Sequence, residues 1–467
     1  MAFKRLEIAG LRGFGKEQAV EFAIPSGESG SGLTFIVGAN NSGKTTIYEA
    51  IRSFITAHHA PSFSVGKRNV NYHGGRIHMK LIYDNGEYIS IETDKRNGSQ
   101  TEITRNGRVI SPQDLESRIA ILQSRRYVEY SFPINNGDTN RASYLRNQIA
   151  NAPNRNYGLI SFEQRIRKMY QNKESFDSLL KQALGYDPNW TIDENDHGEH
   201  FIKFTTGNQY HTSEGVGDGI WSIFTICDTL YDSKPGEMIV IDEPELSLHP
   251  AYQKRVMELL KRYAIDRQIV VCTHSTYFID MLSLTNGAEL CRTVKNESGQ
   301  IEVHRLSEKS KQQIKGYSDN YFNPHILGNT AKELFFVEDG VIVVEGQDDV
   351  VLYQRAAEQL GITLKGEFFG WGAGGAHNIP SILGILKDLG YKKVAAIYDG
   401  DMKDKKEKAE KEFGDFQFFT IPTDDIRDKG ASKAREGKKG MMSEKGMLKT
   451  EYQAEMKGLL TQLNECM

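Results

Sequence analysis

The eight residues Gly38-Ala39-Asn40-Asn41-Ser42-Gly43-Lys44-Thr45 constrain this chain more than any other stretch, because they fit G-x-x-x-x-G-K-[ST] and have the right neighbours on both sides. Leu33-Thr34-Phe35-Ile36-Val37 reads as a buried strand before the loop, and Thr46-Ile47-Tyr48-Glu49-Ala50-Ile51 opens a helix after it. Strand, glycine-rich turn and helix in that order predict an α/β fold whose loop backbone closes around phosphate. The glycines let N–H groups point inward, and the helix N-terminus adds partial positive charge. Lys44 is then expected to reach the β and γ phosphates and the Thr45 hydroxyl to ligate Mg2+. Gly38, Asn40, Asn41, Ser42, Gly43 and Thr46 complete the expected contacts, and ATP with Mg2+ is the expected ligand pair.

At 467 residues the chain exceeds one ordinary core, so two or three domains are expected. A net charge of −4 gives no global basicity, and any nucleic-acid contact has to come from local patches. Cys227, Cys272, Cys291 and Cys466 show no CxxC spacing and suggest neither a disulfide framework nor a zinc site. The start Met1-Ala2-Phe3-Lys4-Arg5 leads straight into a strand pattern without a signal segment, and no apolar run reaches membrane-spanning length. A cytoplasmic protein with reduced thiols and no membrane partner is the expectation.

The pattern predicts strands at 3–8 and 19–23 before the phosphate loop. Three antiparallel strands at 77–83, 87–92 and 100–104, joined by Asp84-Asn85-Gly86 and Arg96-Asn97-Gly98, read as a β-rich insertion. Helical patterns follow at 161–184, 219–231 and 251–265 and are expected to flank a parallel sheet. A polar stretch over 292–335 reads as a linker, dividing a domain at 1–291 from one at 336–467. The second domain opens with a buried strand at 340–344, a helix at 350–360 and another strand at 393–398, a further βα pattern. Lys403 to Lys411 reads as a solvated helix face.

Met238-Ile239-Val240-Ile241-Asp242-Glu243 is an apolar strand ending in two acids. Asp242 is expected to hold Mg2+, and Glu243 to orient or deprotonate the attacking water. A further strand, Gln268 to Thr273, ends at His274-Ser275, which makes His274 a catalytic candidate.

With these pieces assembled, the phosphate loop, the Ile-Asp-Glu-Pro-Glu strand, the Leu-Ser-Leu-His-Pro turn and Thr-His-Ser resemble the ABC-type ATPase heads shared by SMC, RecF and OLD (overcoming lysogenization defect) proteins, over roughly residues 1–290. The resemblance implies two heads face to face, a signature segment of one covering the nucleotide of the other, and hence a homo-oligomer, dimer or higher. Ser213-Glu214-Gly215-Val216-Gly217 is the candidate segment; it departs from Leu-Ser-Gly-Gly-Gln but supplies the Ser213 hydroxyl and Gly215 before a helix N-terminus. Gln123 is a candidate metal- or water-sensing residue, and Arg125 and Arg126 read equally as phosphate sensors or solvated charges. No heptad arm interrupts the head, which excludes a long rod.

The second domain carries its own constellation. Glu345 ends a buried strand, with Asp349 four residues on, and Asp399-Gly400-Asp401 ends another strand. Acids at i and i+4 share a helix face, and acids at i and i+2 share a side when extended. Carboxylates crowded at neighbouring strand ends form a hard-oxygen site suited to Mg2+ or Mn2+. Glu-Gly-x-x-Asp followed by Asp-x-Asp resembles the Toprim domain of topoisomerases, primases and OLD nucleases, and Phe368 to Asn378 resembles the Gly-rich strand-loop of OLD-type Toprim domains. The resemblance implies Glu345 as general base or metal ligand, Asp349, Asp399 and Asp401 as metal ligands, and Thr423-Asp424-Asp425 as a further metal position. Lys429 to Lys449 is rich in Lys and Arg and reads as a phosphate contact, a source of a catalytic Lys, or a solvated loop.

The expected architecture is therefore an ABC-type P-loop ATPase head followed by a smaller Toprim-like α/β domain. As a whole it resembles the OLD family, related to ATPases of anti-phage systems such as PARIS and Gabija. This implies metal-dependent cleavage of nucleic acid under ATP control in phage defence. A sensor or scaffold ATPase of the PARIS type is the alternative, holding a separate effector nuclease until a phage-encoded trigger arrives. A RecF-type repair ATPase leaves the C-terminal acids unused.

Overall fold

The computed structural model describes residues 1–63, 75–93, 100–124, 132–133, 162–194, 196, 198–212, 217–319, 324–337, 340–430 and 437–467. Two compact units emerge, Met1–Val303 and His304–Met467.

The first unit is built on a six-stranded sheet in the order Ile301–Arg305, Glu289–Lys295, Leu33–Gly38, Gln268–Cys272, Met238–Asp242 and Ile119–Leu122. The three strands Leu33–Gly38, Gln268–Cys272 and Met238–Asp242 are buried along their whole length, as unbroken apolar runs without alternation require. They run parallel, with Cys272 opposite both Ile36 and Asp242. The phosphate loop, Glu243 and Thr273-His274 consequently leave the sheet together at its C-terminal edge, where open α/β sheets bind ligands.

A second sheet of six antiparallel strands corrects the reading of an insertion. His78–Tyr83, Tyr88–Thr93 and Thr101–Arg105 continue a sheet opened by Gln18–Glu21 and Phe3–Ala9, with Leu6 opposite Leu81. Alternation along His78–Tyr83 turns Met79, Leu81 and Tyr83 inward, into one core with Ile47, Tyr48 and Ile51 of the helix Lys44–Arg52. The sheet therefore braces the helix that carries the phosphate loop. The helical patterns form Phe162–Gln171, Lys173–Leu184, Asp218–Asp232 and Pro250–Tyr263; Lys173–Leu184 packs chiefly on the last two helices. A small sheet of Trp190–Glu194, Glu199–Thr206 and Gln209–Thr212, with Phe132–Pro133 also paired to Glu199–Thr206, was not expected. Its anchors, Trp190 and Phe204, pack edge-on against Phe224.

The expected linker over 292–335 also needs correcting. It holds the end of Glu289–Lys295, the strand Ile301–Arg305 and the helix Glu308–Asp319, and the division between units falls after Val303. Ile301–Arg305 lies at the edge of its sheet with only Ile301 buried, so it shows no clear apolar period.

The second unit has a parallel sheet in the order Glu367–Phe368, Val341–Val343, Val394–Tyr398 and Gln417–Thr420. Helices Gln347–Gln359 and Gln453–Cys466 close its core through Leu352, Tyr353, Met456 and Leu460. A separate two-stranded ribbon pairs Asp425–Arg427 with Gly440–Met442.

Candidate functional site

In the first unit the phosphate loop is shaped by left-handed backbone at Gly38 (φ 138°), Asn41 (φ 65°) and Gly43 (φ 104°). A Cβ on Gly38 would lie 2.3 Å from the Thr293 carbonyl oxygen, so both φ and space demand glycine there; at Gly43 the φ demands it, while the 2.4 Å approach is to the end of the Ile301 side chain. Ser42 Oγ sits 2.6 Å from Thr293 Oγ1. Strands 289–305 thus wall the loop, a role the sequence pattern did not disclose. Lys44, 4 % exposed, donates from Nζ to the carbonyls of Gly38 (2.9 Å) and Ala39 (2.7 Å). Burial lowers its pKa against the opposing pull of Cys272, Glu243, Asp242 and Glu245. Asn40 is exposed at the crown of the loop, and Thr46 is buried in the first helical turn. The Thr45 hydroxyl donates to Asp242 Oδ2 at 3.3 Å. This cradle of inward backbone, hydroxyl and cation fits a nucleoside triphosphate with its Mg2+.

Glu243 leaves the sheet with φ 49°, its N–H donating to the Cys272 carbonyl at 2.7 Å. Its Oε1 lies 3.7 Å from His274 Nε2. Burial, reinforced by the Lys44 charge, pushes the His274 pKa down to about 4, leaving a neutral imidazole at neutral pH. Glu245, which sequence reasoning passed over, fixes that histidine: Oε1 accepts from the His274 N–H at 2.5 Å and Oε2 from the Thr273 hydroxyl at 2.8 Å. Its burial raises its own pKa. The available signal was the second glutamate of Asp-Glu-Pro-Glu, two residues beyond Glu243. Ser275 adds a third tie, donating to Gln253 Oε1 at 2.6 Å. Gln123 follows Leu122, the partner of Ile241, and so emerges beside the acid strand. The Leu246–Pro250 turn packs on the start of the helix Asp218–Asp232, where a Cβ on Gly219 would meet the Ser247 carbonyl at 2.4 Å. Ser213, Glu214, Gly215 and Val216 lie outside the described residues, as do Arg125 and Arg126.

In the second unit, Glu345, Asp349, Asp399, Asp401, Asp424 and Asp425 line one cleft of about 850 Å³. The local premises for two of these pairs fail although the cluster forms. Glu345 stands before the helix Gln347–Gln359 instead of on its face, and Asp349 Oδ2 turns back to accept from the Gly346 N–H at 2.8 Å. Asp401 lies in a 3-10 turn, Gly400–Met402, so it does not extend the strand that ends before Asp399. Parallel register assembles the site: Val343 pairs with Ala396, and the Asp399 N–H donates to Glu345 Oε1 at 3.1 Å. Burial and the neighbouring carboxylates raise Asp349 to about 7 and Asp399 to about 9, and burial raises Glu345.

Three cations temper this crowding. Lys438 Nζ donates to Asp401 Oδ2 (2.8 Å) and to the Asp424 carbonyl (3.0 Å), Lys429 pairs with Asp425, and Arg427 donates to Asp348 Oδ2 at 2.8 Å. Lys429 and Lys438 exchange backbone hydrogen bonds of 2.9 and 2.8 Å. The basic stretch is therefore partly ordered against the acids; Lys433 and Arg435 lie outside the described residues. By donor chemistry the cleft fits a hard divalent cation. Among the described residues, however, no three His, Cys, Asp or Glu side chains are gathered in a ligating arrangement. Binding a cation would require these side chains, Asp401 with its lysine included, to rearrange.

Among the described residues no helix is long and apolar enough to cross a membrane. Residues 33–280 match the family described as "AAA domain, putative AbiEii toxin, Type IV TA system", and residues 335–401 match "Overcoming lysogenization defect protein-like, TOPRIM domain". An Old nuclease of Escherichia phage P2 is 34 % identical over 122 residues, 26 % of this chain and 20 % of the phage protein's length. An OLD nuclease of Thermus scotoductus is 24 % identical over 457 residues, covering 81 % of this chain and 80 % of that protein. The SMC head domain from Thermotoga maritima superposes with a TM-score of 0.41 at 18 % identity, over 66 % of this chain and 100 % of the head. With the first match spanning more than half of the sequence and the second taking in Glu345, Asp399 and Asp401, the chain belongs to that AAA-domain ATPase family and carries a C-terminal TOPRIM domain of the OLD-like kind.

Proposed function

We propose that the first unit binds and hydrolyses ATP and that the second cleaves phosphodiester bonds in nucleic acid with a divalent metal, in the service of bacterial anti-phage defence. The observation that carries this reading is the crowded cleft: acids raised to about 7 and about 9 by burial and one another oppose folding unless something cationic uses them. Glu345, Asp349, Asp399 and Asp401 would hold Mg2+ or Mn2+, with Asp424 and Asp425 at a second position. A cation held there would supply water activation and stabilisation of the leaving oxygen. Glu345, whose pKa burial raises, would serve either as one of these ligands or as the general base toward the attacking water.

In the nucleotide site, Lys44 and the loop N–H groups would hold the phosphates, and Thr45 and Asp242 the Mg2+. Glu243 would accept the proton of the attacking water. A neutral His274, tied down by Glu245, can donate one hydrogen bond without adding charge. Ser213 and Gly215, by resemblance, complete the site of a second copy, so hydrolysis requires a homo-oligomer. The similarity to the Old nuclease of Escherichia phage P2 and the OLD nuclease of Thermus scotoductus supports the nuclease reading.

A second reading is favoured by one observation, the lysine pairs on Asp401 and Asp425. If they persist, the C-terminal unit is a docking surface, and the chain is a PARIS-like sensor that releases a separate effector nuclease on meeting a phage protein. Cleavage of plasmid DNA and total tRNA by the purified chain, with Mg2+ or Mn2+ and with or without ATP, separates the two. Metal-dependent cutting that disappears in Glu345→Ala is expected; robust ATP hydrolysis with no cutting would leave the scaffold.

A further inference from the structure

We propose that Trp371 is a stacking platform for an unpaired nucleobase beside the carboxylate cleft. This rests on the nucleic-acid reading above and adds to it a residue that selects the form of the substrate. The chain has three tryptophans, and two of them, Trp190 and Trp221, are 0 % and 3 % exposed within an aromatic cluster around Phe224. Trp371 is 50 % exposed. A single exposed apolar residue is ordinary on a protein surface, so its placement has to decide.

That placement is specific. The next residue, Gly372, packs so closely that a Cβ there would lie 2.6–2.7 Å from the Gly346 backbone. Beyond it, the N–H groups of Ala373 and Gly375 donate to the carbonyls of Val344 (2.9 Å) and Glu345 (2.8 Å). The loop bearing Trp371 is thus pinned to the strand end that carries Glu345. On its other side, the Trp371 carbonyl lies 3.0 Å from Nδ1 of His325, which lines the cleft. A carbonyl only accepts, so this bond holds His325 in its Nδ1–H form and fixes the loop backbone a second time. Lys429 and Lys438 line the same cleft, where they offset the charge of Asp425 and Asp401 that would otherwise repel a phosphate backbone. An exposed indole on a fixed backbone supplies the stacking half of the combination by which proteins hold single strands, base on ring and phosphate on charge. Intact duplex keeps its bases stacked internally and offers none, so the platform favours single strands, loops and flipped bases.

The test uses the intrinsic fluorescence of the full-length protein in EDTA, which prevents metal-dependent cleavage, repeated in Ca2+. A short oligothymidylate, the same strand with abasic sites, and a duplex are titrated while anisotropy of a labelled strand reports binding. The expected result is quenching by oligothymidylate but not by the abasic strand or the duplex. Trp371→Ala weakens single-strand binding about tenfold and leaves duplex binding unchanged, and Trp371→Phe restores most of the affinity without the fluorescence signal. Strand binding without quenching, or wild-type affinity in Trp371→Ala, overturns the stacking role and leaves the nucleic-acid reading intact. No binding of any strand overturns both.

Discussion

The two sites of this chain are built on opposite principles. The phosphate loop is complete in the polypeptide itself: its glycines, its lysine and the walls at Thr293 and Ile301 fix a cradle in which the side chains of Ser42, Lys44 and Thr45 already have partners. The C-terminal cleft gathers acids from separate strand ends into mutual repulsion, relieved by protons and borrowed lysines. Removing a member should therefore cripple the first site, whereas neutralising a member should stabilise the second.

The largest expected effect is at Glu243. Glu243→Gln should retain ATP and slow hydrolysis by on the order of 10²–10⁴, measured as single-turnover phosphate release; an unchanged rate would remove Glu243 from its role. Lys44→Ala should weaken nucleotide binding about a hundredfold, checked by titration with a fluorescent ATP analogue, because charge-assisted bonds to phosphate have no substitute in the loop. Glu245→Ala should lower kcat roughly tenfold with KM little changed, since it frees His274 without touching the loop, and Glu245→Gln should recover much of the loss.

The C-terminal cleft is expected to respond in the other direction. Asp399→Asn should raise the Tm of the metal-free protein, by about 2–4 °C for each kcal/mol of repulsion relieved, while abolishing its stabilisation by Mn2+. The pH dependence has a definite sign. Asp349 and Asp399 keep their protons in the folded state up to about 7 and about 9, well above their unfolded pKa, so the folded protein binds more protons and loses stability as pH rises through that window. His274 acts oppositely: its folded pKa of about 4 lies below the unfolded value, and its contribution grows as pH rises toward 6.5. Between pH 6.5 and 9 the two acids set the sign, and thermal melts in EDTA should show Tm falling. Saturating Mg2+ should flatten or reverse that slope.

What the sequence disclosed follows the same division. The phosphate loop, Asp242-Glu243 and the strand ending at His274 are contiguous patterns on fully buried strands, and each was readable because an unbroken apolar run marks a central parallel strand. Thr293 and Ser42 meet across 251 residues, and no local period announces such a contact. Glu245 was hidden because an acid in a turn looks like a solvated one until its partners are known. In the cleft the acids were identified, but the spacing arguments for them were not what assembles them. Parallel register brings Glu345 to Asp399, and the ribbon after Asp425 brings Lys438 to Asp401.

The most direct test of this account is calorimetric titration of the metal-free protein with Mn2+ in buffers of different ionisation enthalpy near pH 7.5, which counts the protons released on binding. Saturable binding with release of about one proton or more, lost in Asp399→Asn while ATP binding persists, is the expected result. Absence of any Mn2+ binding beyond that of the nucleotide site, with Asp399→Asn indistinguishable from wild type, would contradict it.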